Sequence, residues 1–143
     1  PSIYSADIGI GFGRPGNRFW PAALDAGLVD RDRDPRRALT DNGIGMTDLV
    51  KRATRRADEL ASGEYREGLD RVRRLVEWLK PAVVCFVGLA GWRSAVDRSA
   101  VAGRQDDHFG GTPVYVMPST SGLNANSRLA DLVEHLRAAA AIA

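Results

Sequence analysis

The sequence predicts a single α/β domain with a central, mainly parallel sheet. Two apolar runs, Ala82–Val87 and Val114–Met117, read as strands, and amphipathic helical patterns precede and follow them. Continuous apolar runs are typical of parallel strands that are covered by helices on both faces. A chain of 143 residues, 44% of them hydrophobic, is the right size for one domain with one core.

The chain begins with a glycine-punctuated stretch, Ser2–Gly16, which has no sustained periodicity and contains Pro15. We expect this stretch to form a loop that lies close to the rest of the domain or to a ligand. Asn17 can then cap a helix that runs to about Ala26, with Gly27 as its stop.

The middle of the chain is predicted to be mostly helical. Asp30–Arg37 alternates charges and is expected to be a solvated connection. Gly43–Val50 is a second glycine-punctuated stretch, leading into a short helix that Thr47 could cap. Glu64–Lys80 has the apolar spacing of an amphipathic helix, which Pro81 ends.

The last third returns to strand and helix. Gly88 lets the chain turn into a helix around Trp92, Pro118–Asn126 is a polar loop, and Ser127 can cap the final helix. In open parallel sheets, ligands bind at the carboxyl ends of the strands. We therefore expect the site at the loops that follow Gly88 and Pro118, together with the N-terminal glycine-punctuated loop.

Bulk charge does not identify a partner. The 20 basic and 18 acidic residues leave a formal net charge of +2, so nucleic-acid binding can be argued only from local charge. Lys51-Arg52 and Arg55-Arg56 could lie near DNA phosphates, but the charge pattern favours a solvated helical face. No apolar run approaches the roughly 20 residues of a membrane span, and the start lacks a signal-peptide pattern, so we expect a soluble intracellular protein.

Cysteine and histidine usage predicts no metal site. Cys85 lies within an apolar run and is expected to pack inertly in a reducing compartment. His108 follows two aspartates in what reads as a solvated loop, without further ligands at useful spacing. His135 lies on the charged side of the last helix, where we expect it to be structural or exposed.

Gly11–Gly16 matches the dinucleotide-binding pattern G-x-G-x-x-G, although Pro15 interrupts it and no strand is visible before it. One interpretation is a nucleotide site, and a second is a tight surface turn. A third suits the residues better: the glycines would let the backbone approach a flat ligand closely, while Phe12 offers a ring to stack on it.

Several segments stand out in chain order: Pro1–Ala6 continuing through Gly16-Asn17-Arg18-Phe19-Trp20, then Gly43-Ile44-Gly45-Met46-Thr47 with Leu49-Val50, Glu64-Tyr65-Arg66-Glu67-Gly68, the strand before Gly88, and Met117–Asn124. Together they resemble the mismatch-specific uracil- and thymine-DNA glycosylases of the uracil-DNA glycosylase superfamily. This collinear match is far more specific than any one motif. Pro1 would be the last residue of the family's catalytic Gly-x-Asn-Pro motif.

The resemblance implies a three-layer α/β/α sandwich and a monofunctional enzyme that needs no metal or other cofactor. The enzyme would flip uracil, and also thymine or other altered pyrimidines, out of double-stranded DNA containing G·U or G·T mismatches, and hydrolyse the N-glycosidic bond. Flipping is needed because the bond is inaccessible within the base stack. The implied protein is a monomeric, cytoplasmic, nucleoid-associated bacterial glycosylase. Residues 1–143 would be its single domain, with the N-terminal strand and the Gly-x-Asn-Pro segment upstream of Pro1.

The resemblance also assigns a base pocket. Phe12 would stack on the extruded base, Ser5 would form the pocket wall near the pyrimidine edge, and Asn17 would help to hold that wall. Ser119 would touch the attacking water or a phosphate. The alternatives are an ordinary buried ring for Phe12 and turn or cap roles for Ser5 and Asn17.

The loop after the last strand would contact the DNA. The small residues among Ser121, Gly122 and Asn124 would let backbone amides meet phosphates, and Leu123 would fill the space left by the flipped nucleotide. Apolar wedges between bases offset part of the unstacking cost, which is about a few kcal/mol per step. The alternative is that Leu123 packs as a staple on the last helix.

Asp48 is the main departure from the family pattern, since many relatives have an amide or a Lys there, beside the pocket. A carboxylate at this position could orient or activate the attacking water and stabilise an oxocarbenium-like transition state. It could equally be a favourable charge in the first turn of a helix. Two other functions stay open: a non-catalytic DNA-binding module that keeps the base pocket, and a small nucleotide-binding α/β protein.

Overall fold

The computed structural model covers residues 1–143 and has a mixed α/β fold. The helices are α1 (Ile3–Ile8), α2 (Phe19–Asp25), α3 (Pro35–Asn42), α4 (Ser62–Leu79), α5 (Leu89–Ala95) and α6 (Leu129–Ala140), with a 3₁₀ turn at Ala57–Glu59. The strands are β1 (Val84–Val87), β2 (Gly103–Phe109) and β3 (Thr112–Met117).

The three strands form one sheet in the order β1-β3-β2. β1 runs parallel to β3, with Val87 opposite Met117, whereas β2 is antiparallel to β3. A mainly parallel sheet is therefore not confirmed, because one of its two strand pairings is antiparallel. The loops that leave Val87 and Met117 start side by side, since the amide of Gly88 donates to the carbonyl of Met117 at 2.9 Å.

Helices cover both faces of the sheet. Val114 and Val116 of β3 pack with Trp92 and residues of α4 in one buried cluster. Tyr115 and Met117, which point the other way along the same strand, pack with α2 and α6 in a second cluster. The sheet is thus the middle of three layers, and β3, buried on both faces, is its central strand.

The long helix α4 follows from the spacing of its apolar residues. Leu69, Val72 and Val76 fall three to four positions apart and are all buried. Burial of side chains of this size contributes roughly 1.5–3 kcal/mol each to the stability of the fold. The helix ends at Leu79, and its C-cap Lys80 adopts a left-handed conformation immediately before Pro81.

Two helices lie where the sequence predicted none. α1 lies inside the predicted N-terminal loop and is capped by the Ser2 hydroxyl, which accepts from the amide of Ser5 at 3.1 Å. α3 lies at the end of the predicted solvated connection and begins with Asp34 as its cap and Pro35 in its first turn.

Two further expectations were wrong. The short helix that Thr47 was predicted to cap is absent, and the chain from 43 to 53 is irregular, so the nearby basic residues are exposed but not on a helix. His108 lies in β2 and not in a loop. β2 is an edge strand whose charged residues face solvent, and such strands lack the apolar alternation that identifies a strand in sequence.

The expectations for Cys85 and His135 agree with the structure. Burial raises the pKa of the Cys85 thiol to about 12, so the side chain is an inert packing group. His135 is structural, because its Nδ1 lies 2.7 Å from the hydroxyl of Tyr115. None of the helices is both long enough and apolar enough to cross a membrane.

Candidate functional site

Arg18 joins the two ends of the chain that the sequence placed at the site. Its amide donates to the carbonyl of Thr120 at 2.9 Å. Its guanidinium donates to the carbonyls of Ser121 at 3.0 Å, Asn124 at 2.8 Å, and Ser127. One arginine thus donates to four backbone carbonyls of the loop after β3 and holds this loop against the start of α2.

The two loops also touch through their backbones. Gly122 approaches Gly16 so closely that a Cβ built on Gly122 would lie 2.8 Å from the Gly16 carbonyl oxygen. A cleft of about 240 Å³ opens beside this contact. Its lining residues are Arg14, Pro15, Asn17, Ser121, Gly122 and Leu123.

Hydrogen bonds within the loop 118–126 fix its shape. The Ser119 hydroxyl accepts from the amide of Ser121 at 3.2 Å, and the Ser121 hydroxyl accepts from the amide of Leu123 at 3.2 Å. The side-chain amide of Asn124 donates to the carbonyl of Ser119 at 2.9 Å. The loop is therefore braced by its own side chains before any ligand binds.

Leu123 lies at the tip of this braced loop, and 80% of its surface is exposed. It is the most exposed large hydrophobic residue of the chain. The alternative in which Leu123 packs as a staple on the last helix is wrong, because a packed side chain would be largely buried.

Ser5 of α1 ties this helix to the turn that follows it. Its hydroxyl is buried, accepts from the amide of Gly13 at 3.1 Å, and lies 3.0 Å from the hydroxyl of Ser2. The half-buried ring of Phe12 stacks on Phe19 with their centroids 4.2 Å apart. Phe12 has a φ of +57°, a left-handed conformation that is costly for a bulky residue.

Asn17 has a local structural role as well as a place in the cleft. Its side-chain carbonyl accepts from the amide of Phe19 at 2.9 Å, at the first residue of α2. The N-cap of α2 is however Arg18, without a side-chain cap bond, so the prediction that Asn17 caps this helix is wrong by one position. The indole of Trp20 donates to the carbonyl of Gly11 at 2.9 Å, which ties the N-terminal loop to the same helix.

Asp48 lies apart from the cleft that Leu123 lines, beside the first residue of the chain. Its carboxylate oxygen Oδ1 is 3.7 Å from the nitrogen of Pro1, and 40% of its side chain is exposed. The guanidinium of Arg71 donates to the backbone carbonyl of Asp48 and so restrains the backbone from which the carboxylate extends.

The comparison with known families agrees with this geometry. A family model described as the uracil DNA glycosylase superfamily matches residues 1–141. The chain belongs to the uracil DNA glycosylase superfamily. Membership of this superfamily indicates a DNA glycosylase, a hydrolase that acts on uracil in DNA.

In this superfamily member, the proposed site residues form three groups. Asn17, Ser121, Gly122 and Leu123 line one cleft, with Ser119 and Asn124 bracing its loop. Ser5 in α1 and Phe12 in the turn after it lie in the N-terminal segment, and Asp48 lies beside Pro1. Nowhere do three His, Cys, Asp or Glu side chains come close enough to hold a metal ion.

Sequence reasoning missed two arginines of this glycosylase. Arg18 makes the hydrogen bonds between the loops, but in the sequence it stands out only as part of the motif that resembles the family. Arg14 lines the cleft beside Leu123. The available signal was its position inside the glycine-rich stretch Gly11–Gly16, where a lone long basic side chain would project from a compact turn.

Proposed function

We propose that this glycosylase flips uracil out of mismatched double-stranded DNA and hydrolyses its N-glycosidic bond, acting as a monomer. We propose further that G·U and G·T mismatches are its substrates and that other altered pyrimidines are accepted. The observation that carries the proposal is the exposed Leu123 at the tip of a braced loop beside a cleft.

Leu123 has the properties of a wedge. A large apolar side chain that is 80% exposed has no role in the core, and its backbone is fixed by the hydroxyl of Ser121. Insertion of such a side chain into the base stack would offset part of the cost of extruding a nucleotide. A preformed loop spends no binding free energy on its own ordering.

The neighbouring groups suit the phosphates of the same strand. The amide of Gly122 makes no hydrogen bond within the chain, and glycine allows a phosphate to approach it closely. Arg14 supplies a positive charge on the other wall of the cleft. These groups, together with Ser121 and Asn124, would position the strand while Leu123 fills its gap.

We propose that Phe12 stacks on the extruded base, with Ser5 and Asn17 shaping the wall of the base pocket. The ring is held from one side by Phe19, with an interplanar angle of 21°. It is only half-buried, so part of its surface is available to a ligand. Stacking on an aromatic ring is a sequence-tolerant way to hold a base.

Asp48 is our candidate for the group that orients the attacking water, with Ser119 as a further contact to the water or to a phosphate. The resemblance places the water-binding motif directly before Pro1, and Oδ1 of Asp48 is 3.7 Å from the nitrogen of Pro1. The water oxygen would bond to the anomeric carbon and pass a proton to the carboxylate, while the bond to the base breaks and the base leaves as an anion.

The proposed insertion of Leu123 and the proposed stacking of Phe12 on the base are tested with Leu123→Ala and Phe12→Ala. The assay is single-turnover excision from a duplex with one G·U pair. We expect each variant to lose about tenfold in kcat/KM on the duplex, which is about 1.4 kcal/mol. Leu123→Ala should lose much less on single-stranded DNA, where no stack must be opened. Leu79→Ala is the matched control, since Leu79 is 58% exposed at the far end of α4.

Unchanged duplex excision in both variants would count against the assignment. The same assay with G·T, A·U and single-stranded substrates tests the mismatch preference directly. Asp48→Asn separates catalysis from binding: loss of excision with retained duplex affinity supports the catalytic role, and full excision removes Asp48 from the mechanism. A wild-type protein that binds the duplex but never cleaves it would favour the non-catalytic DNA-binding module.

A further inference from the structure

A second cavity lies at α1 and shares Arg14 with the cleft that Leu123 lines. It has a volume of about 400 Å³ and is lined by Ser2, Ile3, Tyr4, Arg14, Thr54 and Arg55. We call it the Arg14–Arg55 groove. The proposed excision mechanism makes no use of it apart from Arg14.

The two arginines of this groove have no anionic partner in the protein. Neither Arg14 nor Arg55 forms an ion pair or a side-chain hydrogen bond, and both are exposed. The arginines close by in sequence differ, since Arg52 pairs with Glu64 at 2.7 Å and Arg56 pairs with Asp58 at 2.9 Å. The groove therefore presents two positive charges that nothing in the chain neutralises.

The backbone holds both arginines in place. Thr54 is buried, forms a bridge with Ser2, and donates its amide to the carbonyl of Pro1 at 3.0 Å, so Arg55 follows a fixed residue. The carbonyl of Arg14 accepts from the amide of Asn17 at 3.0 Å in a tight turn. Fixed backbones with free guanidinium groups suit recognition of an anion that arrives from outside.

In the same groove, α1 presents apolar surface. Tyr4 is 46% exposed and Ile3 is 43% exposed, and both line the groove. An exposed aromatic ring beside unpaired arginines suits the backbone of a nucleic-acid strand, because the arginines contact phosphates and the ring packs against a sugar.

Arg14 connects this groove to the Leu123 cleft, because it lines both. A strand that passes Leu123 can thus continue over Arg14 towards Tyr4 and Arg55. We propose that the Arg14–Arg55 groove binds the segment of the uracil-containing strand that flanks the flipped nucleotide, with two phosphates on Arg14 and Arg55 and a sugar of the same strand against Tyr4. This inference rests on the proposed function and extends its DNA contacts beyond the reacting nucleotide.

The test compares wild type with Arg14→Gln/Arg55→Gln in binding to a fluorescent G·U duplex at several salt concentrations. Each lost phosphate contact should reduce the slope of log affinity against log salt by about 0.9. Both proteins lose affinity as salt rises from about 50 to 200 mM. The fold-loss should therefore be about 12 times smaller for the double variant than for wild type. Arg74→Gln removes an equally exposed charge from α4 and should leave the slope unchanged.

The contact with Tyr4 is tested by shortening the flank of the substrate on one side of the uracil at a time. Wild type should lose affinity by about tenfold when one flank, and not the other, is cut to a single nucleotide, because that flank carries the phosphates and the sugar. Tyr4→Ala should lose less affinity on the same cut, since only its arginine contacts remain to be lost, and Tyr4→Phe, which keeps the ring, should behave as wild type.

The possible outcomes separate the two proposals. An unchanged salt slope in the double arginine variant, with normal excision by wild type, overturns the groove and the phosphate contact of Arg14 but leaves the glycosylase activity intact. A wild-type protein that neither binds nor cleaves the duplex overturns the proposed function itself. Because Arg14 and Arg55 are exposed and unpaired, their variants should melt at the wild-type temperature, so misfolding cannot imitate the expected result.

Discussion

Gly122 and Gly16 are in backbone contact across the cleft, and a Cβ on Gly122 would lie 2.8 Å from the Gly16 carbonyl oxygen. The neighbouring atom is backbone and cannot rotate away, so any larger residue must push the two loops apart. The contact thus sets the distance between Leu123 and the wall that carries Arg14 and Asn17.

Gly122→Ala should therefore impair excision strongly, although it adds only one methyl group. We expect a destabilisation of about 1–3 kcal/mol from overpacking and a fall of at least about tenfold in kcat/KM on a G·U duplex. Gly63→Ala is the control, since its Cβ would meet nothing within 4 Å and it lies in the first turn of α4. Chemical unfolding and single-turnover excision measure both effects, and normal excision by Gly122→Ala would show that the loop spacing is unimportant.

Arg18→Gln should release the loop after β3. The variant loses donors to the carbonyls of Ser121, Asn124 and Ser127, and a hydrogen bond from a charged donor contributes about 1.5–3 kcal/mol. We expect a total loss of roughly 2–4 kcal/mol, because the freed carbonyls can turn to water. Arg18→Lys should recover little, since a single ammonium group cannot span three acceptors.

Hydrogen exchange of the loop amides is the direct readout for the Arg18 prediction. The amides of Leu123 and Asn124 should exchange faster in Arg18→Gln. Arg137→Gln is the comparison variant, because Arg137 also donates to a carbonyl, that of Asp25 at 3.0 Å, but on an exposed face of α6. Equal exchange in wild type and Arg18→Gln would mean that the hydrogen bonds within the loop are enough to keep its shape.

The left-handed backbone of Phe12 predicts an unusual order of stability. Phe12→Gly removes the ring and also the strain at φ +57°, whereas Phe12→Ala removes the ring and keeps the strain. The glycine variant should therefore be more stable than the alanine variant by about 1 kcal/mol. Both should lose excision to a similar extent, because both lack the stacking surface. Greater stability of the alanine variant in urea unfolding would contradict this account.

The elements that the sequence predicted correctly are those whose buried side chains form an apolar pattern along the chain. α4, β1, β3 and α6 each bury a continuous or periodic apolar set, so their patterns are visible without the structure. α3 buries only Ala38, and its signals are the Asp34 cap, Pro35 and the left-handed Gly43, which lie at its two ends. A search for apolar periodicity passes over such a helix.

The candidate site was only partly predictable for a different reason. Residue types at the carboxyl ends of strands predicted a site at loops that the structure brings together, and Leu123 is exposed. The contact between the loops depends on Arg18 bonding to carbonyls more than 100 positions away, as the separations of 103 and 106 residues show. Backbone carbonyls are present at every residue, so no sequence pattern identifies the ones that an arginine will bind.

The ion pair between Arg52 and Glu64 predicts a specific acid sensitivity. A hydrogen bond from Arg52 and another from the amide of Ala61 lower the pKa of Glu64 from 4.5 to about 2. Because the pKa is lowered on folding, this stabilisation is complete above about pH 4.5 and is lost as the pH falls towards 2. Arg52→Gln should therefore lower Tm at neutral pH by a few degrees at most, since the pair is partly exposed, and the difference from wild type should shrink steadily below pH 4.5. Arg56→Gln, which breaks the more exposed pair with Asp58, should change Tm less at every pH, and a pH-independent effect of Arg52→Gln would indicate that Arg52 acts through packing and not through Glu64.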